Sequence, residues 1–374
     1  MRIGITCYPV AGGSGIVATE LGRKLAERGH QVHFISYAIP FRLDAFQQNL
    51  SFHGVETTAY PLFKHPPYTL ALATKMAEVT CQYGLEILHV HYAVPHATCA
   101  FLAKQLVDCT APKIITTLHG TDITLVGSDP SYYDITRFSI NASDGITAVS
   151  QYLADETARE FKITKDIRVV HNFFDGERFN PESGGCCKRN MFANKDEFII
   201  SHVSNFRPVK RIIDVIDIFD KIQSVLPARL LLVGEGPDAV LARRQINKKG
   251  LAAKVNFLGN QSRVEAILPM SDLFLLPSEE ESFGLAALEA LACGVPVIST
   301  SGTGLTEVIE DGVNGFLHDV GDTSAMADSA LMLLKDTEKL TSFKRNARTL
   351  AVEKFNAEKI INVYEDYYRE ILGE

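Results

Sequence analysis

Residues 276–297 read LPSEEESFGLAALEALACGVPV, and their reading decides the fold. An apolar run, Leu273-Phe274-Leu275-Leu276, leads into them and stops at Pro277. A run that is apolar at every position suits a parallel strand buried on both faces. Three carboxylates follow, Glu279, Glu280 and Glu281. Ser282 stands where a helix N-cap is wanted, and Leu285, Leu288 and Ala292 recur at helical spacing. Gly294 and Pro296 close that helix, and Val297-Ile298 opens another strand. Open α/β sheets take their ligands at such places, beyond the carboxyl ends of the strands. Gly284 allows close backbone approach, and the free N–H groups of a first helical turn suit a diphosphate. Seven residues separate Glu281 from Glu289. A carboxylate accepts from two adjacent hydroxyls, as on a ribose or hexose. A capped amphipathic helix with a solvated acidic start is the other reading of the same spacing.

Glu281-Ser282-Phe283-Gly284-Leu285 with Glu289, followed by Ala290 to Pro296, resembles the E-x7-E signature of retaining glycosyltransferases of family 4. That family has the GT-B fold. The resemblance implies an α/β chain of two Rossmann-like domains facing each other across a cleft. It places the first Glu near the donor sugar and the second on the nucleotide ribose.

The remainder of the chain is compatible with this. A length of 374 residues suits two cores better than one. A formal charge of −8 without a basic block argues against nucleic acid as the main partner. Met1-Arg2-Ile3-Gly4-Ile5 enters a strand directly, with no leader pattern and no apolar run of membrane-spanning length, so a cytoplasmic protein is expected. Seven scattered cysteines, Cys186-Cys187 among them, show no framework spacing and are expected to be reduced thiols. Relatives that act on membrane lipids carry a basic amphipathic helix in the first half. Neither Phe41–Leu50 nor Phe63–Tyr68 has a Lys/Arg-rich face, so no stable membrane association is expected. A homo-oligomer is compatible with the sequence.

Strand and helix alternate from the start. The GGSG run, Gly12 to Gly15, sits where a first β–α turn binds an anion, although a plain tight turn is the alternative. It is not a dinucleotide fingerprint, and no acidic residue ends the next strand. Further strands are expected at 87–92, 114–118 and 145–150. His89 reads as a buried structural histidine, whereas His119-Gly120-Thr121-Asp122 lies just past a strand and resembles a turn the family keeps near the donor sugar. Val169 to Asp175 resembles the family's inter-domain turn, and Phe179–Lys195 reads as an exposed connection. The expected domains are 1–168, completed by a terminal helix at about 355–374, and 169–354.

In the second half, Phe198–Val203 restarts the strand pattern. Arg207, Lys210 and Arg211 follow it at a strand-to-helix loop, where cations clamp a departing diphosphate. Lys210 matches the family's lysine, but Asn205 stands where the family has an arginine. Gly234-Glu235-Gly236-Pro237 resembles a family glycine turn. Gly259-Asn260 corresponds to a turn that lines the base pocket in relatives. Residues 312–322 read as a hairpin-like turn segment.

The expected catalytic residues are His119, Lys210 and Glu281. Donor contacts are assigned to Gly12 and Gly13, to Asn205, Lys210, Gly259 and Asn260, and to Phe283, Gly284, Leu285 and Glu289. The segments MRIGITCYP, GGSG, HVHYAVPHA, TTLHGTDIT and HVSNFR further resemble the branch of the family that opens bacillithiol synthesis. That branch moves GlcNAc from UDP-GlcNAc to the hydroxyl of L-malate. The resemblance implies both as partners, with Ser14, Tyr92, Thr117, Thr121 and Arg207 assigned to the acceptor. No D-x-D metal motif exists, so no cofactor is required, although stimulation by a divalent cation is compatible with the pattern. Three alternatives stay open: another small anionic acceptor, a UDP-GlcNAc 2-epimerase of the same fold, and a silent nucleotide-binding module.

Overall fold

The computed structural model describes residues 1–10, 12–43, 47–57, 61–62, 64–183 and 189–374. Parts of the two non-basic segments, 44–46 and 63, and the pair Cys186-Cys187 lie outside the described residues. The chain forms two compact units, Met1–Asn172 with Glu358–Glu374, and Phe173–Ala357.

The first unit holds β1 (Arg2–Thr6), β2 (Gln31–Ser36), β3 (Leu50–Gly54), β4 (Ile87–His91), β5 (Lys113–Leu118), β6 (Gly145–Ala148) and β7 (Arg168–Val169). Their order in the sheet is β3-β2-β1-β4-β5-β6-β7, and every neighbouring pair is parallel. The order reverses between β1 and β4, the switch point at which doubly wound sheets open a crevice. Helices cover both faces, so β4 is buried at all five positions, including His89 and His91. Buried imidazoles need partners. His89 finds the Tyr368 hydroxyl at 2.7 Å and the Thr117 hydroxyl at 2.6 Å.

Tyr368 belongs to the C-terminal helix, Ala357–Leu372, whose Ile361, Tyr364 and Tyr368 are fully buried in this unit. The Tyr367 hydroxyl accepts from the Ile146 N–H at 3.0 Å. Arg28 and His30 pair with Glu365 at 2.9 and 2.7 Å. Each fully buried aromatic or aliphatic side chain here contributes about 1.5–3 kcal/mol of transfer free energy.

The second unit holds β8 (Phe198–Val203), β9 (Ala228–Val233), β10 (Val255–Gly259), β11 (Leu273–Leu276), β12 (Val297–Thr300) and β13 (Gly315–His318), in the order β10-β9-β8-β11-β12-β13, again all parallel. Its switch point lies between β8 and β11.

Four expectations need correction. Residues 315–318 are the parallel edge strand of the second sheet rather than one arm of a hairpin. The connection after Phe179 is not simply exposed. Phe179 and Ala193 are buried, and Arg189 reaches Asp272 at 2.7 Å and the Glu197 carbonyl at 2.9 Å. Cys81 and Cys109 are bonded rather than reduced, with Cα atoms 5.6 Å apart. The packing of helix Tyr68–Tyr83 against Thr98–Leu106 brings these distant positions together, which no sequence spacing announces. Cys7, Cys99 and Cys293 are free and buried. Finally, Ser282 is not the N-cap of the signature helix. The chain turns left-handed at Gly284 (φ +87°), and the helix runs Leu285–Ala292. No helix among the described residues is long and apolar enough to cross a membrane.

Candidate active site

Each switch point carries a cluster of polar side chains. In the second unit, β11 delivers the acidic loop. Ser278, fully buried, donates its hydroxyl to Glu281 Oε1 at 3.0 Å. Lys210 Nζ lies 2.6 Å from the same oxygen. The loop backbone is fixed from two sides, by Glu279 N–H to the Val209 carbonyl at 2.8 Å and by Gly304 N–H to the Glu281 carbonyl at 2.9 Å. Gly284 is required twice, because its φ is positive and because a Cβ there would lie 2.4 Å from Leu305 Cδ2. It lets the helix begin at Leu285 with outward N–H groups. The Phe283 ring turns inward onto Phe355, with centroids 5.5 Å apart, so only its main chain is available to a donor. Glu289 is buried within the helix.

Beside it, the loop after β8 is held by residues that the sequence did not single out. His202 Nδ1–H donates to the Leu275 carbonyl at 2.8 Å, and its Nε2 accepts from the Ser204 hydroxyl at 2.7 Å. Burial pushes the His202 pKa down to about 4, so the ring is neutral. Gly234 and Gly236 press on this loop. A Cβ on either would meet the carbonyl oxygen of Ser204 at 1.8 Å or of Asn205 at 1.9 Å. Gly259 gives its carbonyl to the Gly234 N–H at 2.8 Å, and Asn260 lies 3.3 Å from Glu235. Of the three cations, Arg211 is turned to Asp214 at 2.7 Å and Lys210 to Glu281. Arg207 is exposed with no ion pair among the described residues. Asn205 is also exposed.

In the first unit, Gly12 caps the helix Gly13–Glu27, so Gly13 and Ser14 form its first turn rather than a loop. Gly15 is buried there, where a Cβ would lie 2.6 Å from the Tyr8 carbonyl oxygen. Opposite, Asp122 ties the ends of β4 and β5. Its carboxylate accepts from the N–H groups of Ala93 (3.1 Å), His119 (3.1 Å) and Gly120 (2.9 Å). Burial nevertheless pushes its pKa up to about 6, against those three donors. Around it, the Tyr92 and Thr121 hydroxyls lie 2.7 Å apart, and Tyr92 stacks on His119 with centroids 5.7 Å apart. Tyr8 stands edge-on to Tyr92 at 5.3 Å. His119 Nε2 lies 2.8 Å from His91 Nδ1. Burial, with His96 nearby, pushes the His119 pKa down to about 3.

The structure thus gathers His119, Tyr92 and Thr121 in one unit, and Lys210 and Glu281 in the other. It does not gather Thr117. That residue is fully buried, with its hydroxyl 2.6 Å from His89 and 2.7 Å from Thr147. Its register, His91↔Thr117↔Thr147, puts it on the sheet face covered by Tyr364 and Tyr368, not at the mouth. Asp122, His91, Tyr8, Ser278 and His202 are the supporting residues that sequence reasoning left out of the site. Alternating histidines in a buried strand were the available signal for His91.

Comparison with known proteins identifies the family. The family described as Glycosyltransferase Family 4 matches residues 11–178, and Glycosyl transferases group 1 matches residues 188–350. The N-acetyl-alpha-D-glucosaminyl L-malate synthase of Bacillus anthracis is 50% identical over 374 residues, covering 100% of this chain and 98% of that protein. The sucrose-phosphate synthase structure from Thermosynechococcus elongatus superposes with a TM-score of 0.81 at 21% identity, covering 100% of this chain and 99% of that one. Anabaena HepE in complex with UDP and glucose gives 0.81 at 19% identity, covering 98% of each chain. The chain belongs to glycosyltransferase family 4 and has the GT-B architecture of two Rossmann-like units.

Proposed function

We propose that this glycosyltransferase moves GlcNAc from UDP-GlcNAc to the hydroxyl of L-malate, with retention and without a required metal. The observation that carries the reading is the 50% identity, end to end, to a protein named for that product. In the reaction the bond from the sugar C1 to the phosphate oxygen breaks and a bond from C1 to the malate oxygen forms. The malate hydroxyl proton passes to the departing β-phosphate oxygen, and UDP leaves. Lys210 and the N–H groups at Gly284-Leu285 stabilise the charge that develops on that diphosphate. Glu281, held by Ser278 and Lys210, meets sugar hydroxyls, and Glu289 meets the ribose. In the first unit, Ser14, Tyr92 and Thr121 are the groups for a small dicarboxylate. The absence of a D-x-D motif and the cations at the β8 loop support a metal-independent route. The same reading places the enzyme in the cytoplasm, at the opening of bacillithiol synthesis.

The deciding experiment follows UDP release from UDP-GlcNAc with and without L-malate, with mass spectrometry of the sugar product and a parallel run in a metal chelator. Malate-dependent release and a GlcNAc–malate product are expected. Release only with a sugar phosphate would move the acceptor. UDP-ManNAc formed without any acceptor would make the protein an epimerase.

A further inference from the structure

His91 ends the buried strand β4, and among the described residues its ring makes one hydrogen bond, to His119. His91 Nδ1 and His119 Nε2 are 2.8 Å apart. His91 Nε2 is buried and has no hydrogen-bond partner among the described residues. Two neutral imidazoles sharing one hydrogen bond have two proton arrangements. In one, His91 carries its proton on Nδ1 and donates to His119, leaving a bare lone pair at His91 Nε2. In the other, His119 donates from Nε2, and the His91 proton sits on its own Nε2 as a buried N–H with no acceptor. A buried N–H without an acceptor is the rarer arrangement in folded proteins, and an under-used lone pair is better tolerated. The adjacent His96 has the tolerated pattern. Its Nδ1 lies 2.6 Å from the His91 carbonyl, which only accepts, so its proton is on Nδ1 and its buried Nε2 is bare.

We propose that His91 is a positioning residue: by donating from Nδ1 to His119 Nε2, it holds His119 in the tautomer protonated on Nδ1. His119 then meets its ligand as a neutral hydrogen-bond donor, through a nitrogen with no partner among the described residues. The ligand atom it suits is an oxygen, of a sugar hydroxyl or of a diphosphate. His119 is not a base in this arrangement, because the lone pair that would take a proton is occupied by His91. The inference rests on the reading of the His119 turn as part of the sugar-transfer site.

The proton is located directly in the full-length enzyme. Histidine-selective ¹⁵N labelling with long-range ¹H–¹⁵N correlation distinguishes the two tautomers, and a His119→Gln spectrum assigns the signal. The expected result is a His119 ring protonated on Nδ1 and not titrating across about pH 5 to 8, the range in which an unperturbed histidine changes charge. A proton on Nε2, or a titrating ring, would overturn the proposal. Kinetics supply the second arm. His91→Phe removes the donor and fills its space, and should lower kcat by about tenfold to a hundredfold, by analogy with the loss of the partner that orients a metal-bound histidine. KM for L-malate should stay near the wild-type value. His91→Asn, which returns an N–H at a similar place, should recover most of the loss. Equal kcat in His91→Phe and wild type would also overturn the positioning role. A His119→Ala enzyme with unchanged turnover would instead remove the assignment of His119 to the site. That failure is separable, since the wild-type spectrum reads the proton's position regardless of activity.

Discussion

The two units share a scaffold and differ in what they place at its mouth. Both are parallel, doubly wound sheets with a switch point between the first strand of the unit and a later neighbour. The second unit's mouth carries formal charge: Lys210 on Glu281, with Arg207 beside them. The first unit's mouth carries His119, with His91 and His96 fully buried; burial keeps all three rings neutral, and Tyr8 and Tyr92 pack on His96 and His119. The contrast teaches that the fold supplies a place and leaves the chemistry to loop residues. A diphosphate calls for cations and free N–H groups, whereas orienting uncharged hydroxyls calls for fixed neutral dipoles.

Acid should break the comparison most strongly. His89 (about 3), His91 (lowered well below the ordinary value), His96 (about 4) and His119 (about 3) all lie in the first unit, against His202 (about 4) in the second. These folded-state values lie below the ordinary 6.5, so the unfolded chain takes up the protons first. The stability they contribute is whole above that pH and is lost as the pH falls from 6.5 towards 3–4. Each such group contributes up to about 1.4 kcal/mol per pH unit within the window. Asp122 partly offsets this, because its raised pKa favours the folded state as the pH falls through about 6 towards 3.8. Hydrogen exchange at pH 7 and pH 5 should show first-unit peptides losing protection before second-unit ones. Equal loss in both would contradict the neutral-histidine account.

Lys210→Ala tests the charged mouth. By analogy with the loss of one oxyanion donor, turnover should fall about 10²- to 10³-fold, read as UDP release. A double-mutant cycle with Glu281→Gln should show strong coupling, since both act through the same 2.6 Å contact. Gly284→Ala comes next. The left-handed φ and the 2.4 Å approach to Leu305 should cost about 1–3 kcal/mol of second-unit stability, measured in urea, and should weaken donor binding. Tyr92→Phe is the mildest. It removes one hydrogen bond to Thr121 at a partly buried site, worth about 0.5–1.5 kcal/mol, and should raise the L-malate KM more than the UDP-GlcNAc KM.

Much of the architecture was legible in the chain because it rests on local pattern. A run such as Leu273–Leu276, apolar at every position, has few other fates than a strand covered on both faces. The acidic loop, Gly284 and the helix after it sit consecutively in sequence, as does the turn from His119 to Asp122. Edge strands were less visible. Residues 50–54 and 315–318 are short and mix polar with apolar side chains, because only part of each strand is covered. Thr117 was misread because a hydroxyl at the end of a strand looks the same whether it faces the mouth or the interior. Ser282 was misread because a good capping residue preceded the true break by two positions, and the left-handed turn at Gly284 overrode it.

The sequence by itself determined the alternation of strand and helix, the two-unit layout, and the residue types set beside each strand end. These follow from periodicity, from glycine, and from charges a few residues apart. Tertiary structure alone decided which polar groups are spent inside. The C-terminal helix takes His89 and Thr117 into the interior through Tyr368 and Tyr364, the ring of His91 is aimed at His119, and Cys81 meets Cys109. Each of these depends on the register of strands and the packing of helices far apart in the chain. Burial turns such contacts from incidental into obligatory, because an unpaired polar group in the interior is costly.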